Sequence, residues 1–131
     1  AAPSAGSPPV ITGQLGFDGA PASPPRLVVA LRNTTVLSVA AGGAHSIVAT
    51  RAGAYTFGDN AEGQLGRRTS EATQPPWLAD ATPTVVLADR TIVSCAAGWH
   101  HSLLVTSEGD VYGAGLNTSG ALGVAGVQAT A

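Results

Sequence analysis

An all-β chain built from repeated four-stranded units is what this sequence predicts, and three observations carry the prediction. Residues 35–53 (TVLSVAAGGAHSIVATRAG) align without a gap on residues 91–109 (TIVSCAAGWHHSLLVTSEG) at about half identity, which makes them an internal repeat. The phrase GQLG or a near copy stands at 13–16, 63–66 and 120–123, spaced by 50 and 57 residues, in the range of propeller blades. The composition agrees, because 17 Gly and 9 Pro supply chain reversals and the apolar residues are mainly Ala, Val and Leu, which suits short strands better than long helices.

The elements of one unit follow in order. A proline (Pro25, Pro83) precedes the apolar runs 27–31 and 84–88, which read as an edge strand because proline can begin a strand but not sit within it. The β-branched runs 36–40 and 92–96 are the next strand, and 46–50 and 102–106 the one after. Gly53 and Gly109 then mark a hairpin, and a last strand runs from Tyr55 or Tyr112 into NAEGQLG (60–66) or NTSGALG (117–123). In these phrases Gly58, Gly63 and Gly66, and Gly115, Gly120 and Gly123, are expected to supply positive φ or close backbone approach in a loop that joins one unit to the next. Leu65 and Leu122 plug the gap between units.

Composition narrows the function classes. At 131 residues, 44% hydrophobic and 11% charged, the chain is globular; it contains no Met, as expected of a processed or partial chain. A net charge of −2 with six scattered Arg and no Lys forms no basic stripe, which argues against direct nucleic-acid binding. Cys95 is the single cysteine, so no intrachain disulfide forms; an intracellular, reducing location is expected, with cytosol, nucleus and mitochondrion all open. No apolar run approaches the ~18 residues of a membrane-spanning helix.

The recurring order of proline, apolar strand, AAGxxHS, apolar strand, glycine and NxxGQLG resembles the repeats of the regulator of chromosome condensation (RCC1) family, from about residue 12 to residue 123. The resemblance implies RCC1-like β-propeller blades within a seven-bladed ring. It also implies a division into an Ala/Pro/Ser-rich linker (1–9), the end of a preceding repeat with a first complete repeat (10–66), a second repeat carrying an insertion loop at 67–83 (67–123), and a tail (124–131). The family usually places Trp before the glycine that opens the last turn; Phe57 and Ala114 stand there instead, so a looser core is expected in the second unit.

Candidate chemistry is sparse. His45 and His101 recur at equivalent places, which favours a structural role in which the ring bonds a neighbouring backbone group over a metal or proton-transfer pair. Cys95 with His100, a C-x4-H pair, lacks two of the four ligands that structural zinc requires, so neither metal nor cofactor is expected. Residues 113–120 (GAGLNTSG) do not match a dinucleotide fingerprint, and a chain without lysine holds no Walker A loop. No catalytic nucleophile is assigned and the chain is read as a non-enzyme. The insertion loop holds Arg67, Arg68 and Trp77, residue types enriched at interface hot spots, and Trp99 and His100 break the repeat; these five are the candidate interaction residues, though the loop reads equally as a solvated one with Trp77 packed on its own unit. The expected function is a non-catalytic protein-interaction or scaffold module, with protein partners in a larger assembly. The alternative implied by the resemblance is guanine-nucleotide exchange on a Ran-like small GTPase.

Overall fold

The computed structural model describes residues 13–16, 24–67, 79–117 and 129–130, and shows two four-stranded antiparallel sheets. In chain order the strands are β1 (Val36–Ala41), β2 (His45–Thr50), β3 (Gly53–Asp59), β4 (Ala79–Val86), β5 (Ile92–Ala97), β6 (His101–Thr106), β7 (Val111–Leu116) and β8 (Ala129–Thr130). Each sheet is a simple meander, β1-β2-β3-β4 and β5-β6-β7-β8. The repeat extends to its irregularities: β1 slips register on β2 between Val36 and Ser38, and β5 slips on β6 between Ile92 and Ser94.

The sheets stack face to face, with β5 lying across β1 and β2. Ile47, Ala49, Ala54, Ile92 and Leu104 form the buried core between them, edged by Ala40, Val86, Leu87, Cys95 and Ala97. Small residues on β2 and β3 let the second sheet approach closely, and β-branched Ile47 and Ile92, both fully buried, fill the interior. Cys95 belongs to this seam, its Sγ 3.7 Å from Ser38 Oγ of the other sheet, and burial raises its pKa above the ordinary thiol value.

Three expectations need correction. Residues 27–31 do not form a strand: Val29–Leu31 is a single 3-10 turn. The equivalent run after Pro83 is a strand, but it closes the first sheet, pairing with β3 from Ala54↔Val86 to Asp59↔Ala79, instead of opening the second. The reason is the partner, since a strand needs an open edge to bond. The stretch after Pro83 finds the free edge of β3, and among the described residues the stretch after Pro25 has no such edge beside it. The GQLG loop consequently connects β3 to β4 within one sheet, and the crossing from sheet to sheet runs through residues 87–91, where Leu87 takes φ 53°.

The segment 67–83 is therefore not all loop, because its last five residues lie in β4. Pro83 is accommodated by a bulge: Thr56 faces Thr84 and Gly58 faces Asp80, leaving residues 81–83 opposite Phe57. An edge strand tolerates proline at such a point because no ladder N–H is required there.

Candidate functional site

One end of the stacked sheets gathers the turns β1–β2 (residues 42–44) and β5–β6 (98–100) with the β3–β4 loop (60–67). The two short turns hold each other, Gly43 N–H donating to the Trp99 carbonyl at 3.1 Å. Each turn is also tied to its own sheet, through Asp59 N–H to the Ala44 carbonyl at 2.9 Å and Leu116 N–H to the His100 carbonyl at 2.9 Å.

The β3–β4 loop is built from its own polar side chains. Asn60 accepts from Leu65 N–H at 3.0 Å through Oδ1 and donates Nδ2 to the Arg67 carbonyl at 2.7 Å, which draws residues 60 and 67 together. Gln64 accepts from Glu62 N–H at 2.9 Å and donates to Asp59 Oδ2 at 3.0 Å. Thr56 Oγ1 donates to the Leu65 carbonyl at 2.9 Å, which pins the buried Leu65 against the sheet. Asn60, Gln64 and Thr56 are all buried, and each is satisfied, as buried polar groups must be. Gly58, Gly63 and Gly66 have positive φ, as does Gly115; Gly120 and Gly123, like Leu122, lie outside the described residues.

The HS dipeptides join the units. Ser46 Oγ donates to the Gln14 carbonyl at 2.7 Å and Ser102 Oγ to the Gln64 carbonyl at 2.6 Å, the same bond one unit later. His45 Nε2 lies 2.9 Å from Ser102 Oγ, so the histidine of one sheet bonds the serine of the next. The tautomer follows from this chain. Ser102 has one hydroxyl proton and donates it to Gln64, so His45 must carry its proton on Nε2 and donate. Its Nδ1 is then an unprotonated, buried atom without a hydrogen-bond partner. Burial lowers the pKa of His45 below the ordinary imidazole value, and the nearby His100 and His101 add to the effect; the His101 backbone and Asp59 pull the other way. Gly42 and Gly98 are the floors of the two histidines, since a Cβ on either would run into the ring of His45 or His101.

Of the five candidate interaction residues, Arg67, Trp99 and His100 lie among the described residues, and Arg68 and Trp77 fall outside them. Arg67 is turned into the fold. Its Nε donates to Thr56 Oγ1 at 3.0 Å, and its Nη2 to the Thr56 carbonyl at 2.6 Å and the Thr82 carbonyl at 3.1 Å, the last being an oxygen in the Pro83 bulge. Trp99 stands out from the β5–β6 turn, 72% exposed. One part of its indole covers Gly43, where an added Cβ would lie 2.9 Å from Trp99 Cδ2. His100 packs edge-on beside it at 6.2 Å between ring centroids. The structure thus separates Arg67, a strap across β3 and β4, from the Trp99–His100 pair at the rim. Sequence reasoning missed the strap, whose only signal was an arginine directly after GQLG.

Among the described residues no cluster of three or more His, Cys, Asp or Glu is placed to hold a metal, and no helix is long and apolar enough to cross a membrane. Ser46 and Ser102 both donate to backbone carbonyls of the preceding GQLG phrases, which holds those loops in place.

This architecture of stacked four-stranded meanders, with HS and GQLG tying each to the next, is that of a propeller segment. The chain belongs to the regulator of chromosome condensation (RCC1) repeat family: two models, each described as "Regulator of chromosome condensation (RCC1) repeat", match residues 53–105 and 92–121, together more than half of the chain. It is 36% identical over 87% of its length to the human E3 ubiquitin-protein ligase HERC2, of which it covers 2%. It is 35% identical over 71% of its length to the human RCC1-like G exchanging factor-like protein, of which it covers 20%. Among solved structures it resembles human WBSCR16 at a TM-score of 0.68 and 32% identity, covering 89% of this chain and 31% of that one. It also resembles the Saccharomyces cerevisiae Prp20p, a structure described with its binding to Gsp1p and histones, at 0.62 and 25%, covering 75% of this chain and 24% of that one. The chain therefore spans under a third of each of these relatives and is a fragment of a propeller.

Proposed function

We propose that this chain is part of a non-catalytic protein-interaction propeller that acts within a larger assembly. The observation that carries this reading is Trp99. On the rim built by residues 42–44, 60–67 and 98–100 and on the strand ends beneath it, the polar side chains of Ser46, Asp59, Asn60, Gln64, Arg67 and Ser102 are taken up in hydrogen bonds within the fold, while the indole stands 72% exposed. An exposed tryptophan on a rigid turn has the character of an interface anchor, being large, stiff and amphipathic.

The test uses the native protein. The partner is identified from the mass of the intact assembly, and its affinity for the wild type is compared with that for Trp99→Ala. Loss of about thirtyfold or more in Kd is expected, the size of a hot-spot residue, with an unchanged melting temperature because the side chain is outside the core. Equal affinity would remove Trp99 from the interface.

Guanine-nucleotide exchange on a small GTPase is the second reading, favoured by the exchange-factor name of one relative and the Gsp1p binding described for Prp20p. It predicts that the native protein accelerates release of fluorescent GDP from such a GTPase. Release at the intrinsic rate across a panel of small GTPases would leave the interaction reading alone.

A further inference from the structure

The two repeats differ at one buried point that alters the space between the sheets. In the first, the Phe57 ring is buried and packs toward the preceding GQLG: a Cβ built on Gly16 would lie 3.2 Å from Phe57 Cε2 and 3.0 Å from Val28 Cγ1. The equivalent pair in the second repeat is Ala114 and Gly66, and there the nearest atom to the same built Cβ is the Ala114 methyl at 3.5 Å. No other atom of the described residues comes within 4 Å of that built Cβ. The place is a half-open cleft of about 460 Å³ between the sheets, walled by Leu65, Val86, Leu87, Leu104, Tyr112 and Ala114.

Its wall is mainly apolar, and among the described lining side chains the Tyr112 hydroxyl is the polar group with no hydrogen bond inside the fold. The polar residues on its wall, Thr56, Gln64 and Ser102, already bond to the Leu65 carbonyl, to Asp59 and Glu62, and to the Gln64 carbonyl. Among the described residues no carboxylate, histidine or arginine lines it. A charged ligand would lose its hydration there without compensation, whereas a flat uncharged ring would replace dispersion contacts that the walls lack. We propose that the space between Ala114 and Gly66 is a binding site for a small uncharged aromatic molecule of about the size of an indole, occupying the position that Phe57 fills for the other repeat.

The experiment uses indole itself as the probe on the native full-length protein, with indole-3-acetate as its charged counterpart. Titration calorimetry and melting curves should show saturable indole binding and a rise of a few degrees in Tm, with at least a tenfold weaker response to the acetate. Ala114→Phe should abolish indole binding and melt above the wild type, because the new ring takes the place proposed for the ligand's ring. Should Ala114→Phe fail to fold, the smaller Ala114→Leu keeps the test, and should weaken indole binding by at least tenfold. Absence of saturable indole binding, undiminished binding in the folded variants, or equal binding of the acetate would each overturn the assignment.

Discussion

His45 is held by a chain of donors that leaves it one choice of tautomer, and its neighbours decide how it answers to pH. Removing the Ser102 hydroxyl strands the buried Nε2–H of His45 and the Gln64 carbonyl together. Ser102→Ala is expected to cost about 1–3 kcal/mol, read as a lower urea midpoint at unchanged slope. The pH response has a definite sign. Because burial lowers the folded-state pKa of His45 below the unfolded value of about 6.5, the unfolded chain binds the extra proton first as pH falls. The contribution of His45 to stability is therefore complete above about pH 6.5 and declines as pH falls from there toward the lowered folded value. Denaturation midpoints measured from about pH 8 to 5 should fall more steeply in the wild type than in His45→Gln, in which this titration is gone. Parallel profiles would place the acid sensitivity elsewhere. The recurrence of the histidine was legible in the sequence, but its bond was not, because the serine it meets is 57 residues away.

At the scale of elements, the loop phrase NxxGQLG is a closed hydrogen-bonding unit. Asn60→Ala would leave Leu65 N–H and the Arg67 carbonyl without their partners, at a cost of about 1–3 kcal/mol. Asn60→Asp keeps the acceptor and loses only the donor, so it should lie between wild type and alanine in thermal melting. Gly58 has a different constraint. Its φ is 113°, and an added Cβ would stand 2.6 Å from the Ala44 carbonyl, so Gly58→Ala combines backbone strain of about 1–3 kcal/mol with a clash. Its melting temperature should fall further than that of Asn60→Ala. The glycines of this phrase could be read from their recurrence; the strand after Pro83 could not be given its partner that way. Sequence places that strand next to the second unit, but hydrogen bonding places it on the first, because the free edge it needs belongs to β3.

The described residues form two blades, and the outer flank of the first is apolar and exposed. Val36, Leu37 and Val39 of β1 are exposed, together with Leu27 and Val29 before it, an apolar strip of the kind that a neighbouring sheet covers elsewhere in the same fold. The 131-residue chain on its own should therefore self-associate at micromolar concentration, and sedimentation velocity should show species heavier than 12.9 kDa. Replacing Val36 and Val39 by threonine should shift the distribution toward monomer. A sharp monomer boundary for the unsubstituted chain would mean that the strip needs no cover. The inter-sheet cleft belongs to the same scale, since neither sheet contains it alone, although its cause, Ala114 against Phe57, could be seen by aligning the repeats.

By itself the sequence determined the class of fold, the repeat and most of its strands, because alternation, turn glycines and self-similarity are local properties that survive without any knowledge of contacts. It also marked Trp99 and His100 as departures from the repeat. Only the tertiary structure decided which sheet owns the strand after Pro83, that Arg67 straps β3 to β4, that His45 reaches the serine of the next blade, and that a missing ring leaves space between the blades. Each of these depends on a partner distant in sequence or brought near by a bulge, and pairing across such distances is settled by which open edge, carbonyl or cavity lies within reach once the sheets have stacked.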